Sequence, residues 1–221
     1  KAISIKPKDG TILNTLFELQ VEGNDWTGAQ KTLSAKYKSG LLPKDIFIRR
    51  NAILNLATAK EGSSENSFEA AFQANKASPE LVPAAILASS AHLRNMKKRL
   101  ATSVLRKAWN KLPHPDLAAA FANLEPLESA DERYNRFKPW IKIHNGTPEV
   151  QMLEAELALA AENYTGARKI MGDLAEKKPT ARCLTIMAAV ERGTGAKDAV
   201  VRGWLAKALG AKYGPMWTCT K

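Results

Sequence analysis

Apolar residues recur along this chain at helical spacing. In the stretch before Pro113, Ala101, Leu105 and Ala108 follow the i, i+4, i+7 rule of a single helical face. No segment alternates apolar and polar residues for long; Ala2-Ile3-Ser4-Ile5 comes nearest and is too short for a strand. The periodic stretches come in twos. Turn signals separate the two members at Gly23-Asn24-Asp25, Glu61-Gly62-Ser63-Ser64 and Gly193-Thr194-Gly195. The pattern predicts short helices paired by tight turns, with no sheet.

A slower period overlies the helical one. Pro7, Pro43, Pro79, Pro113, Pro148, Pro179 and Pro215 follow one another at intervals of 31 to 36 residues. Five residues before most of them stands an apolar residue: Ala2, Ala74, Ala108, Ile143 or Leu174. Asp25-Trp26-Thr27-Gly28-Ala29-Gln30-Lys31 returns 138 residues later as Asn163-Tyr164-Thr165-Gly166-Ala167-Arg168-Lys169. That is four units of roughly 34.5 residues, close to the 34-residue tetratricopeptide period. Small residues such as Ala29, Ala101 and Ala167 let two helices of a unit approach, and Trp26, Leu33, Tyr164 and Met171 fill the space between them. Proline then ends the second helix, since it lacks an N–H and its ring clashes with the preceding turn. The fold expected is an all-α, right-handed solenoid of about six tetratricopeptide-like helix pairs, running through residues 1–221 as a single array.

The regularity fails near residues 125–147, where Arg136, Trp140 and Ile143 replace small residues and Pro126 and Pro139 are extra. This stretch reads as a distorted repeat with shifted or shortened helices, or alternatively as a boundary between two domains. The opening, with Ala2 and Pro7 already at the end of a unit, reads as a truncated first repeat. Trp217-Thr218-Cys219-Thr220-Lys221 shows no capping helix, so the chain reads as a fragment.

Composition narrows the function. Hydrophobic residues make up 45% of the 221, ample for helix burial, and no run of 18 apolar residues could span a membrane. Cys183 and Cys219 lie in no metal or redox spacing. Cys183 reads as a buried thiol beside Leu184 and Met187; no metal site is expected within the chain, though Cys219 could open a zinc knuckle completed by residues beyond the end. The formal net charge is +11, and its excess is local. Between Glu80 and Asp116 there is no acidic residue, while Arg94, Lys97, Lys98, Arg99, Arg106, Lys107 and Lys111 are basic. Such a block can face nucleic acid, an anionic membrane surface, or only water. Nucleic acid is the weakest of the three: single-strand readers interleave exposed aromatics, and here the only aromatic is Trp109, on a face with Leu105 and Leu112.

In tetratricopeptide arrays the first helix of each pair lines the groove. Projection gives Arg49, Ala52, Ile53, Leu56 and Lys60 in one unit, then Ile86, Leu87, Ser90, Leu93 and Arg94 in the next. An apolar strip flanked by cations suits an extended or helical peptide with acidic residues. These positions do not reproduce the Lys/Asn/Arg clamp for chaperone C-terminal carboxylates.

Catalytic signatures are missing: there is no phosphate loop, Gly-x-Gly-x-x-Gly, Gly-x-Ser-x-Gly or His-Glu-x-x-His. His92 occupies a position of a packed ring. His114 lies between two prolines, and His144 stands apart; a lone histidine makes a poor haem or metal ligand. Glu154, Glu156 and Glu162 face no evident electrophile. The chain is not expected to be an enzyme.

The second half carries a more specific pattern. Pro113-His114-Pro115-Asp116-Leu117-Ala118 opens it, followed by Glu149-Val150-Gln151-Met152-Leu153-Glu154-Ala155 and Tyr164-Thr165-Gly166-Ala167-Arg168. Pro179-Thr180-Ala181-Arg182-Cys183-Leu184, Trp204-Leu205-Ala206-Lys207-Ala208-Leu209 and the terminal Trp217-Thr218-Cys219 complete it. In order and spacing, residues 80–221 resemble the C-terminal repeat region of the HemY-type inner-membrane proteins of proteobacteria. The resemblance implies two N-terminal membrane spans ahead of the repeats and an association with late haem and porphyrin metabolism. It implies no defined catalytic role, and some relatives continue past the Trp-x-Cys with a Cys-x-x-Cys knuckle. The expectation is a non-catalytic scaffold at the bacterial inner membrane, the repeats on the cytoplasmic face, recruiting proteins such as haem-synthesis enzymes. Alternatives are an envelope assembly or quality-control adaptor, and a module binding haem or porphyrin, whose propionates the groove cations could meet.

Overall fold

In the computed structural model, residues 10–61 and 65–213 are described, apart from the side chains of residues 60, 61 and 65–67. Among them the chain forms thirteen α-helices and no strand. Contacts divide it into two compact units, Lys1–Ala108 and Trp109–Lys221. The first contains α1 (Gly10–Glu22), α2 (Trp26–Lys38), α3 (Lys44–Glu61), α4 (Glu65–Ala77), α5 (Val82–Arg94) and most of α6 (Lys98–Lys111). The second contains α7 (Pro115–Ala122), α8 (Ala130–Ile143), α9 (Pro148–Ala160), α10 (Tyr164–Met171), α11 (Leu174–Lys177), α12 (Ala181–Gly193) and α13 (Asp198–Leu209). The all-α helix-pair architecture is the one the periodicity predicts, and six pairs follow in chain order.

The repeat is written most plainly in backbone hydrogen bonds. After α1, the N–H groups of Gly23, Asn24 and Asp25 donate to the carbonyls of Leu19, Val21 and Gln20. After α5, Asn95, Met96 and Lys97 donate in the same pattern to Ala91, Leu93 and His92, and after α9 Ala161, Glu162 and Asn163 donate to Leu157, Leu159 and Ala158. Thr194, Gly195 and Ala196 repeat it after α12. Each turn puts one residue in the left-handed region: Asn24, Met96, Glu162 and Gly195, with φ from 55° to 77°. The turn satisfies carbonyls at the end of the first helix and folds the second back against it.

The recurring Asp25/Asn163 motif has a local cause. Asp25 Oδ1 accepts from the Gly28 N–H at 2.8 Å, and Asn163 Oδ1 accepts from the Gly166 N–H at 2.9 Å, capping α2 and α10. A Cβ at Gly28 or Gly166 would collide with that capping side chain, so glycine accompanies the cap.

Alanine does the close packing, as expected, but at three-helix junctions. Ala29 packs with Leu33 and with Leu54 of α3; Ala167 packs among Met152, Ala155, Met171 and Cys183. Ala101 is likewise fully buried. Ala101→Leu should lower the unfolding free energy by about 1–3 kcal/mol through overpacking. Urea denaturation checks this, and an unchanged midpoint would mean the helix register is wrong.

Two features depart from the simple pattern. Prolines begin helices as often as they end them: Pro115 and Pro148 are the first residues of α7 and α9, where the missing N–H costs nothing. Pro7 and Pro215 lie outside the described residues. The second helix of the fifth pair is broken at Gly172, φ 45°, into α10 and α11.

In the stretch after Pro115, α7 has only eight residues, and α8 starts at a capping box formed by Ser129 and Glu132. Large rings fill the interior there. Phe121 stacks on Trp140 at 4.1 Å between centroids and meets Phe137 edge-on, and Arg136 lies over Phe121 while pairing with Glu128. The Trp109 indole N–H donates to the Trp140 carbonyl at 3.1 Å.

Candidate interaction surface

In unit Lys1–Ala108 the first helices have two buried stripes and one open face. On α3, Ala52, Leu56 and Ala59 form one buried stripe, while Phe47 and Leu54 pack toward α1 and α2. Arg49 remains exposed with Ile46, and Ile53 is half-buried. Leu56 at 3% and Ala52 at 0% exposure are interior residues, correcting their assignment to the groove. They share a stripe with Ala59, on the side that α3 gives to its core. The Lys60 side chain lies outside the described residues. On α5, Ser90 and Arg94 are exposed while Ile86, Leu87 and Leu93 are half-buried. Arg94 is partly engaged, its guanidinium 5.7 Å from the centroid of Phe68 in α4.

The opposite side of α3 carries a feature that the groove projection missed. Asn55 Oδ1 accepts from Gln30 Nε2 at 2.7 Å, and Asn51, Asn55, Gln30, Lys31, Ser34 and Lys38 line an open polar cleft of about 600 Å³. In unit Trp109–Lys221 a cleft of about 890 Å³ runs beside Leu184, Trp204, Lys207 and Lys212.

Most of the basic residues of α6 lie on one side of the helix. Ala101, Leu105, Ala108 and Trp109 are buried, whereas Arg99, Arg106, Lys107 and Lys111 lie exposed on the other face with Ser103 and Asn110. Among the described residues none of these four cations forms an ion pair. Lys97 occupies the turn after Met96, and Lys98 and Arg99 open the helix itself rather than lying in the turn. Trp109 is packed as expected, but against Trp140 and His144; Leu112 is half-exposed and takes no part.

The histidines hold structure together. His92 stacks on Phe72 at 4.5 Å, and burial followed by the charge of Lys97 lowers its pKa. His144 donates from Nε2 to the Trp109 carbonyl at 2.7 Å. His114 caps α7, its Nδ1 accepting the Asp116 N–H at 3.2 Å, and burial lowers its pKa despite Asp116. Cys183 is buried, and burial raises its thiol pKa; Cys219 lies outside the described residues. No group of three His, Cys, Asp or Glu residues with metal-binding proximity occurs among the described residues. No described helix is long and apolar enough to cross a membrane.

Two charged constellations were invisible as sequence. Arg182 at the start of α12 bridges two glutamates of α9, giving Nε and one terminal nitrogen to Glu156 at 2.7 Å each and the other to Glu149 at 2.6 Å. Glu149 is only 7% exposed, and burial raises its pKa against the pull of Arg182. The second constellation is Lys36, a cation on the buried face of α2. Neither spacing nor composition marks it; only its place three residues after Leu33 and seven after Ala29 hints that it lies on a core face.

No family model matches this chain, and no curated protein matches it. Among solved structures it is similar to a tetratricopeptide repeat protein from Parabacteroides merdae. The two are 16% identical, with 94% of this chain and 88% of that one covered and a TM-score of 0.44.

Proposed function

We propose that this chain is a non-catalytic protein-interaction scaffold whose first-helix face on α3 and α5 takes an acidic peptide segment of a partner. The carrying observation is the open face itself. Arg49, Ile53, Leu87, Ser90 and Arg94 stand at fixed positions on helices that buried stripes hold in place, and charge-assisted contacts to carboxylates are strong when so held. Changing Arg49, Lys60 and Arg94 together to Glu should abolish capture of the partner with little change in melting temperature. Capture that survives the triple reversal would put recognition elsewhere. The resemblance to HemY-type proteins supports the finer reading, with partners among haem-synthesis enzymes and the array anchored at the cytoplasmic face of a bacterial inner membrane.

A second surface has its own observation, the exposed Arg99, Arg106, Lys107 and Lys111 of α6. Clustered exposed Lys and Arg near anionic lipid contribute about 1 kcal/mol each. Vesicles containing anionic lipid should therefore bind the protein and neutral ones hardly at all, with binding lost as salt rises, since screening acts over ~8 Å at physiological ionic strength. Replacing Arg99, Arg106, Lys107 and Lys111 by Gln should remove most of the binding in a sedimentation assay. Equal binding to neutral vesicles would reduce the face to a solvated one.

A further inference from the structure

Position 36 belongs to the interior of the first helix pair. Ala29, Thr32 and Leu33 precede it on the same buried face of α2, and the Thr32 hydroxyl is satisfied by Gln20 Oε1 at 2.7 Å. Lys36 is not satisfied in that way. The residue is 5% exposed, and among the described residues its Nζ has no hydrogen-bond or ion-pair partner, although its carbonyl accepts from the Leu41 N–H. Its Nζ stands 5.2 Å from the centroid of Phe17 in α1, and Cζ of Arg50 in α3 stands 5.8 Å from the same ring. Three helices thus bring two cations to one aromatic ring, and among the described residues no carboxylate stands at ion-pair distance from Lys36 Nζ. Glu18, exposed on α1, attracts Lys36 from farther off. Burial, then repulsion by Arg50, lowers the Lys36 pKa against that attraction.

Such an arrangement costs stability. The attraction of a cation to a ring only partly offsets the hydration that the charge loses on burial. A methionine would fill the same space at no electrostatic cost. Perturbed, unpaired charges of this kind concentrate where a ligand supplies the missing partner.

The location points to the ligand. Arg50 neighbours Arg49, and Ile46 and Ile53 of the open α3 face lie one turn to either side. Arg50 is half-buried, so the site opens to solvent on its side. We propose that Lys36 and Arg50, seated on Phe17, form an anion subsite that takes a side-chain carboxylate of an acidic peptide lying along α3. This rests on the scaffold reading above and deepens it. A carboxylate there would accept charge-assisted hydrogen bonds from both groups and relieve their mutual repulsion.

Fluorescein-labelled hexaglutamate is the probe, read by anisotropy, with hexaglutamine as the neutral control. Lys36→Met and Arg50→Gln should each weaken hexaglutamate binding by about tenfold or more. Lys76→Gln and Lys178→Gln remove the same formal charge from exposed positions elsewhere and should change it by less than about twofold. The melting temperature of Lys36→Met should hold or rise, because an unpaired buried charge is gone; a lysine kept only for structure would lower it. Equal losses in all four variants, or no binding of hexaglutamate to the parent, would overturn the subsite. If Lys36→Met and Arg50→Gln bind like the parent while the Arg49→Glu/Arg94→Glu variant does not, the subsite fails and the α3–α5 face stands. The reverse pattern keeps the subsite and removes the face.

Discussion

Trp109→Ala is expected to lower the unfolding free energy by about 3–5 kcal/mol, the range for truncating a buried tryptophan in a packed interior. Trp109 is wholly buried at the end of α6 and stands 5.2 Å from Trp140, ring centre to ring centre. Its indole N–H satisfies the Trp140 carbonyl, and its own carbonyl takes a hydrogen bond from His144. Truncation therefore opens a cavity beside Trp140 and His144 and removes a buried hydrogen bond at once. Trp109→Phe separates the two contributions. It keeps most of the ring and loses the N–H, so it should cost about 1–3 kcal/mol, the range for an acceptor left unsatisfied. Urea denaturation followed by circular dichroism measures both. A loss under about 1 kcal/mol for the alanine variant would mean that the rings re-pack and that the short α7 does not depend on them.

How much of this was legible in the sequence varies with the physics involved. Helix pairing was legible because burial of a helical face imposes a period on apolar residues, as at Ala101, Leu105 and Ala108. The hairpin turns were only partly legible. Their geometry repeats four times, yet the left-handed residue is Gly195 once and Asn24, Met96 and Glu162 otherwise, so no glycine signature marks three of them. The aromatic cluster around Trp140 was visible only as a failure of the alanine pattern. On the candidate face, residue type and spacing gathered Arg49, Ile53, Leu87, Ser90 and Arg94, of which Arg49, Ser90 and Arg94 are exposed and Ile53 and Leu87 half-buried. They misplaced Ala52 and Leu56 because α3 buries two stripes, and one projected stripe cannot tell an open face from the flank beside it. Lys36 and the Arg182–Glu149 pair were not legible. Their character comes from residues 14 to 33 positions away, and charge in a sequence ordinarily marks exposure rather than burial.

The Arg182–Glu149 pair gives the other large effect, and it depends on pH. Breaking a buried ion pair by removing one partner costs about 3–5 kcal/mol, since the remaining charge is left uncompensated. Arg182→Met keeps the aliphatic bulk and removes the cation, leaving Glu149 buried with neither oxygen partnered; its Oε2 has no partner even in the parent. Glu156 is better exposed and loses less. In the parent, burial raises the Glu149 pKa and Arg182 opposes the rise. Without Arg182 the rise is larger, so folded Glu149 takes up a proton where the unfolded chain has lost its own. A raised carboxyl pKa stabilises below the unfolded value and loses that contribution as pH climbs through the folded one. The deficit of Arg182→Met relative to the parent should therefore be small near pH 5 and grow toward pH 8. Its slope approaches about 1.4 kcal/mol per pH unit between the folded pKa of Glu149 in the parent and the higher one in the variant. Adding Glu149→Gln removes the titrating group, so the double variant should lose that slope and recover part of the stability at pH 8. Urea midpoints at pH 5, 6.5 and 8 on parent, single and double variants test this. A deficit flat across pH, or one undiminished in the double variant, would show that Arg182 acts through packing alone and that the α9–α12 contact does not depend on its charge.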